Sequence, residues 1–239
     1  MSALWVAVAG AIVYLDTTAV GQFMICQPLI ACPLWGLIVG RPEIGLFFGV
    51  TFQLLWLGSL PIGAAKFPEG NLGAFVATAL AARIPASGNG EPAWVVLAVA
   101  AFIGIVAAQI GGEMTPLVRK LMDRYAPRVV AAAEAGRTGM FRLLFAGAIA
   151  VHAAAGFFFT LIVFFAGQWV FSLYTGSFSA AGVSRAVVGS TDVLLSGIWP
   201  AMLGAGVAVI ARQFVVKRHL AWFLAPTLIA FLTVWLWRS

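Results

Sequence analysis

"GSLPIGAAKFPEG", residues 58–70, cuts a long apolar stretch with two prolines, three glycines, Lys66 and Glu69. Hydrocarbon penalises each of these. Proline withdraws a backbone donor, glycine weakens a helix, and a charge at a helix centre costs about 2.5–3.5 kcal/mol on insertion scales. The setting makes the break informative. Of the 239 residues, 62% are hydrophobic and 9% charged, and the mean hydropathy is +1.03. A soluble domain carries about a quarter charged residues. No water-facing surface can be built from this composition, which predicts an all-α, polytopic membrane protein.

Apolar windows near the ~20 residues that cross about 30 Å of hydrocarbon recur at 93–112, 143–170, 193–211 and 220–237. The opening "MSALWVAVAGAIVYL" has no basic start and no small-residue cleavage site, so it is expected to stay as a first segment rather than be removed. Cys26 and Cys32 both sit in apolar sequence, which argues against a disulfide framework.

The net charge is +6, yet the basic residues gather at the ends of apolar segments without an aromatic-interleaved stripe, so nucleic acid is not expected as a partner. Residues 113–142 hold Arg119, Lys120, Arg124, Arg128, Arg137 and Arg142, and 212–218 is "RQFVVKR". Both are expected to face the cytoplasm. The two apolar segments between them return the chain to the same side and put the 83–92 and 171–192 loops on the other. Within 113–142, Thr115 resembles a helix cap and Pro116 a first helical residue. Leu117, Leu121 and Tyr125 then recur beside Val118 and Met122, opposite Arg119, Lys120, Asp123 and Arg124. The pattern predicts an amphipathic connector lying at the headgroups. Residues 143–239 are expected to be the C-terminal transmembrane helices.

Residues 1–82 differ, because each apolar run there is interrupted near its middle. "LDTTAVGQFM" (15–24) follows a short apolar run. "ICQPLIACPLWGLIVG" (25–40) contains Pro28 and Pro33. The run 44–60 carries Gln53 and then meets the break at 58–70. Non-helical backbone is tolerated at membrane depth only where protein or a water-filled cavity satisfies its polar groups. Repeated breaks therefore predict half-helices meeting around a cavity, as in transporter binding sites. Gly36 with Gly40, and Gly45 with Gly49, are spaced for close helix approach, and packing is the role expected of all four.

Candidate chemistry is sparse. Phosphate-binding and dinucleotide fingerprints are absent from the sequence, and His152 and His219 lie too far apart in it to suggest a metal site, so neither catalytic residues, a metal nor another cofactor is predicted. Gln22 and Gln53 are neutral amides that both donate and accept, which suits sugar hydroxyls. Trp56, one turn after Gln53, offers a flat platform for a pyranose ring. Each glutamine can equally serve a neighbouring helix or a freed carbonyl. Asp16 needs a partner, water or a function, and Lys66 is one candidate counter-charge. Glu69 is a second candidate partner for Lys66, and the two can equally sit at an interface flanking Pro68. His152 is open to proton relay or to helix packing. The cysteines read as inert thiols rather than phosphate carriers.

At residues 26–80 the sequence resembles the IIC subunit of mannose/sorbose-family sugar phosphotransferase systems (PTS). The matching features are "PLIAC" at 28–32, the glycine pair 36–40, the glycine-bounded helix running to "LG" at 57–58, and "IGAA" with a proline and an acid at 62–69. The resemblance implies a bacterial inner-membrane permease that binds a hexose-type sugar. It would work as an oligomer with a IID membrane subunit and soluble IIA and IIB phosphocarriers. Sugar would cross by an elevator-like movement, and IIB would perform the phosphotransfer. Where members usually carry an acid, this chain has Gln53, and where they carry asparagine it has Pro61. The expected sugar site comprises Asp16, Gln22, Gln53, Trp56, Pro61, Gly63 and Lys66. Two other readings fit the same broken helices: a proton-coupled secondary transporter using Asp16 and His152, and a non-transporting regulatory subunit of an incomplete PTS.

Overall fold

A computed structural model describes residues 2–56, 67–84 and 94–180. The described residues form six helices and no strand: α1 (Ala3–Thr18), α2 (Pro28–Ile38), α3 (Pro42–Trp56), α4 (Gly70–Ala81), α5 (Trp94–Glu134) and α6 (Thr138–Ala180). The first four are too short to cross about 30 Å of hydrocarbon squarely. The shortest, α2 with 11 residues, is about 16 Å long. By length and composition α5 and α6 are the two described helices able to cross a membrane.

The short helices end where the sequence breaks them. α1 stops at Thr18, and Gly21, Gln22 and Met24 in the following loop all adopt left-handed backbone, with φ of 78°, 50° and 65°. Pro28 opens α2, where its missing N–H is harmless. Three of the four glycines singled out for packing join α2 to α3. A Cβ on Gly49 would lie 2.9 Å from the Pro28 carbonyl oxygen, one on Gly36 would lie 2.7 Å from that of Arg41, and one on Gly45 would strike the carbonyl of Cys32. Gly40 instead closes α2. At φ 73° it sits in the left-handed position of a Schellman turn, in which Arg41 N–H bonds Gly36 O (2.7 Å) and Gly40 N–H bonds Leu37 O (3.2 Å). Arg41 then ties this turn to the end of α4 by donating to Ile84 O, and it pairs with Glu43 at 2.6 Å.

The hub is α4, which touches all five other described helices. Apart from Asn71 its residues are buried, as expected of a helix that is apolar on every side. Leu72, Phe75, Val76 and Leu80 enter one core with Phe48 and Phe52 of α3, Trp35 of α2 and Phe164 of α6. Gly73 and Gly104 bring α4 and α5 into backbone contact, while Gly10 makes room for the Thr160 side chain and Gly156 for Tyr14 between α1 and α6.

The connector expected to begin at Thr115 is not a separate helix. α5 runs unbroken through Pro116 and Pro127. Thr115 is buried and donates its hydroxyl to Glu69, so it acts in a tertiary contact rather than as a cap. α6 likewise continues to Ala180, past the expected loop start at 171. The windows 193–211 and 220–237, the basic segment 212–218 and His219 lie outside the described residues, as do residues 85–92 of the expected 83–92 loop.

Candidate functional site

A cavity of about 280 Å³ opens where the broken helices meet, at the small end of ligand clefts. Its wall takes Asp16 and Thr17 from the last turn of α1 and Gln22, Met24, Cys26 and Gln27 from the following loop. α3 adds Gln53 and Trp56, the segment leading into α4 adds Phe67 and Glu69, and the first turn of α4 adds Asn71. The N-termini of α2 and α4 both lie on this wall.

Asp16 finds its partner in the main chain. Its Oδ1 accepts the Phe23 N–H at 2.7 Å and its Oδ2 the Cys26 N–H at 2.8 Å. A buried carboxylate thus holds the strained loop closed and fixes where Gln22 and Met24 stand. Gln53 bridges two elements: Oε1 accepts the Leu29 N–H at the start of α2 (3.3 Å), and Nε2 donates to Gln27 Oε1 (3.2 Å). Trp56 lies against Gly70, where a Cβ would collide with the indole, and its Nε1 has no hydrogen-bond partner among the described residues. Gln22 lines the cavity from an exposed position in the loop. Pro61, Gly63 and Lys66 lie outside the described residues.

Gln27, Asn71 and Glu69 are among the wall residues not singled out as sugar-site candidates from sequence. Gln27 completes the amide pair with Gln53. Asn71 donates to Thr17 Oγ1 and Cys26 Sγ, both at 3.4 Å, tying α4 to α1 and the loop. Glu69, read from sequence as a partner for Lys66 or an interface charge, is 1% exposed. Its N–H bonds Ala108 O at 2.8 Å, its Oε1 accepts from Thr115, and its Oε2 has no partner among the described residues. Two consecutive α5 glycines make room for this segment: a Cβ on Gly111 would lie 2.9 Å from Glu69 Cβ, and one on Gly112 would lie 2.7 Å from Phe67 O. "GG" at 111–112, spaced to seat a backbone, was the available signal. For Gln27 it was the position before a helix-opening proline.

His152 does not line the cavity. Its Nδ1 lies 2.9 Å from Ala148 O and its ring stacks on Tyr14 between α1 and α6. Cys26 and Cys32 are free and buried, and Cys26 is on the cavity wall. Among the described residues no group of His, Cys, Asp and Glu is placed to hold a metal ion.

The architecture matches solved membrane proteins. One, described simply as a membrane protein, superposes with a TM-score of 0.67 at 19% identity, covering 95% of this chain and 85% of the other. The mannose transporter ManYZ in complex with microcin E492 gives 0.56 at 21% identity with the same coverage. Sequence relatives include a PTS sorbose-specific EIIC component from Lacticaseibacillus casei, 39% identical over 32% of this chain and 26% of its own length. The PTS mannose-specific EIIC component of Escherichia coli K12 is 37% identical over 25% of this chain and 22% of its own. The fructose permease IIC component of Bacillus subtilis is 26% identical over 77% of this chain and 60% of its own. These alignments thus span from about a quarter to three-fifths of the relatives' lengths. The family model for the PTS sorbose-specific IIC component matches residues 1–236, nearly the whole chain, and the chain therefore belongs to that family of membrane-embedded, sugar-specific PTS permeases.

Proposed function

We propose that this chain binds a hexose-type sugar in the cavity between its broken helices and carries it across the membrane. The observation that carries this reading is the set of four neutral amides, Gln22, Gln27, Gln53 and Asn71, on one small wall with an indole beside them. Amides present donors and acceptors together, as hydroxyl groups require, and an aromatic face suits the apolar side of a sugar ring. The names of its relatives, which include sorbose-, mannose- and fructose-specific components, favour the same class of ligand. Asp16 and Glu69 shape the site through the main chain and Thr115. The backbone around Pro61 and Gly63, together with Lys66, completes it.

The protein acts in a bacterial inner membrane, as an oligomer with a IID membrane subunit, and soluble IIA and IIB proteins supply the phosphate. The cavity-bearing short helices shift against a fixed scaffold in an elevator-like movement, and IIB phosphorylates the delivered sugar, so this chain performs no covalent step. Residues 1–82 form the sugar-site region, 113–142 the cytoplasmic connector within α5 and the turn into α6, and 143–239 the C-terminal transmembrane portion.

The test is ligand-dependent thermal stabilisation of the purified protein in detergent, with mannose, sorbose and fructose as ligands. At least one should raise the unfolding temperature. Gln53→Leu, which removes the bridge to Gln27 and Leu29, should abolish that rise while the variant still assembles with its membrane partner. Equal stabilisation of the Gln53→Leu variant would remove Gln53 from the site, and no stabilisation by any sugar would count against the function.

A further inference from the structure

α5 and α6 form an antiparallel hairpin about the Gly136 turn. Tyr125 meets Gly147, and the two lie equally far in sequence from that turn. Between 117 and 134 the residues withdrawn from solvent are Val118, Met122, Tyr125, Val129 and Ala132. They alternate in steps of four and three, the spacing of a seam between two helices. The remaining residues of that span are exposed.

The exposed surface is sorted by charge. Leu117, Lys120, Leu121, Arg124 and Arg128, at i, i+3, i+4, i+7 and i+11, share one flank of α5. Asp123 and Glu134 fall on the opposite flank, with Arg119. From Leu117 to Glu134 this flank has three cations and no acid, interleaved with two leucines that are 64% and 48% exposed, and Glu113 stands one turn before Leu117 on the same flank.

The facing helix differs. From Leu143 to Val170, α6 has no Asp, Glu, Lys or Arg over 28 residues, a length of about 42 Å against about 30 Å of hydrocarbon. Its early exposed residues, Leu143 and Phe145, stand level with the cationic part of α5. An upright hairpin would lift them into water. A tilted one keeps them among acyl chains, the usual response to excess apolar length, and lowers the cationic flank to headgroup depth. Lysine and arginine then extend their ends to phosphate while leucines of the same flank enter the acyl boundary.

We propose that Lys120, Arg124 and Arg128 bind the phosphate groups of anionic phospholipids, with Leu117 and Leu121 seated beside the acyl chains. Guanidinium groups match phosphate oxygens two at a time, and with Glu113 two turns before Lys120 the three cations leave this flank with an excess of positive charge.

The experiment uses the full chain in neutral detergent and adds phosphatidylglycerol, phosphatidylcholine or inorganic phosphate. Bound lipid is read by native mass spectrometry and stability by thermal unfolding. The native protein should retain and be stabilised by phosphatidylglycerol, with little response to the other two. K120Q/R124Q/R128Q should lose that preference by about fivefold per substituted residue, following the weight of a basic side chain near an anionic surface. R119Q/R137Q/R142Q, with the same loss of charge outside the flank, should keep it. An unchanged preference in the first triple variant, equal loss in both, or an equal response to inorganic phosphate would overturn the assignment. Capture of an acidic soluble protein through the flank, with lipid preference unchanged, would transfer it to a protein partner.

Discussion

Asp16 shows how one side chain can shape a site. Two carboxylate oxygens meet two main-chain N–H groups across a loop with three left-handed residues, two of them not glycine. Asparagine has the same shape but a single acceptor oxygen, and its amide nitrogen would point a donor at a donor. Asp16→Asn should therefore lower stability by about 1–3 kcal/mol, the cost of an unmet buried polar group. Denaturant unfolding in detergent would show it, and a variant as stable as the parent would deny the clamp. The sequence revealed that Asp16 required compensation, because a carboxylate at membrane depth is expensive. It did not reveal the donors, since main-chain N–H groups leave no mark on residue identity. Gln53 was legible for the same reason as a polar group at depth, whereas its pairing with Gln27 depends on how α2 meets α3, a long-range arrangement.

Glycines at the helix contacts separate packing from mere permissiveness. Gly73 and Gly104 abut across the α4–α5 seam, and a Cβ on Gly73 would collide with the Gly104 carbonyl and approach Ala108 Cβ to 2.9 Å. Backbone cannot move aside as a flexible side chain can, so Gly73→Ala should destabilise by about 1–3 kcal/mol, as overpacked cores do. Gly139 lies in α6 with nothing within 4 Å of the same added atom. Gly139→Ala should leave stability unchanged or raise it by about 0.5–1 kcal/mol through better helix propensity. Parallel melting curves of the two variants check the contrast, and similar shifts would sink it. The same contacts show what was readable among elements. Proline and glycine placed the ends of α1 and α2 well because their backbone constraints are local. The Thr115–Pro116 pair misled, because a cap and a buried hydroxyl bonded to Glu69 have identical sequence signatures. What decides between them is a segment more than forty residues away in the chain, seated on Gly111 and Gly112.

Across the molecule, the cavity proposed to hold the sugar and the other titratable candidate occupy different places. The cavity lies among the ends of α1 to α4, whereas His152 sits between α1 and α6, turned to the Ala148 carbonyl and stacked on Tyr14. Asp16 is on the wall, but both its oxygens are committed to main-chain donors. A proton passed between Asp16 and His152 would have to leave the cavity and break the loop clamp, which couples poorly to sugar movement. Energy supplied as phosphate on the delivered sugar needs neither step. In proteoliposomes holding this chain and its membrane partner, uptake should therefore depend on added IIA and IIB with a phosphoryl donor. It should survive a protonophore and leave sugar phosphate inside. Chromatography of the lumenal sugar reads the result directly. Free sugar accumulating inside, together with collapse of uptake under the protonophore, would assign the cavity to ion-coupled transport instead.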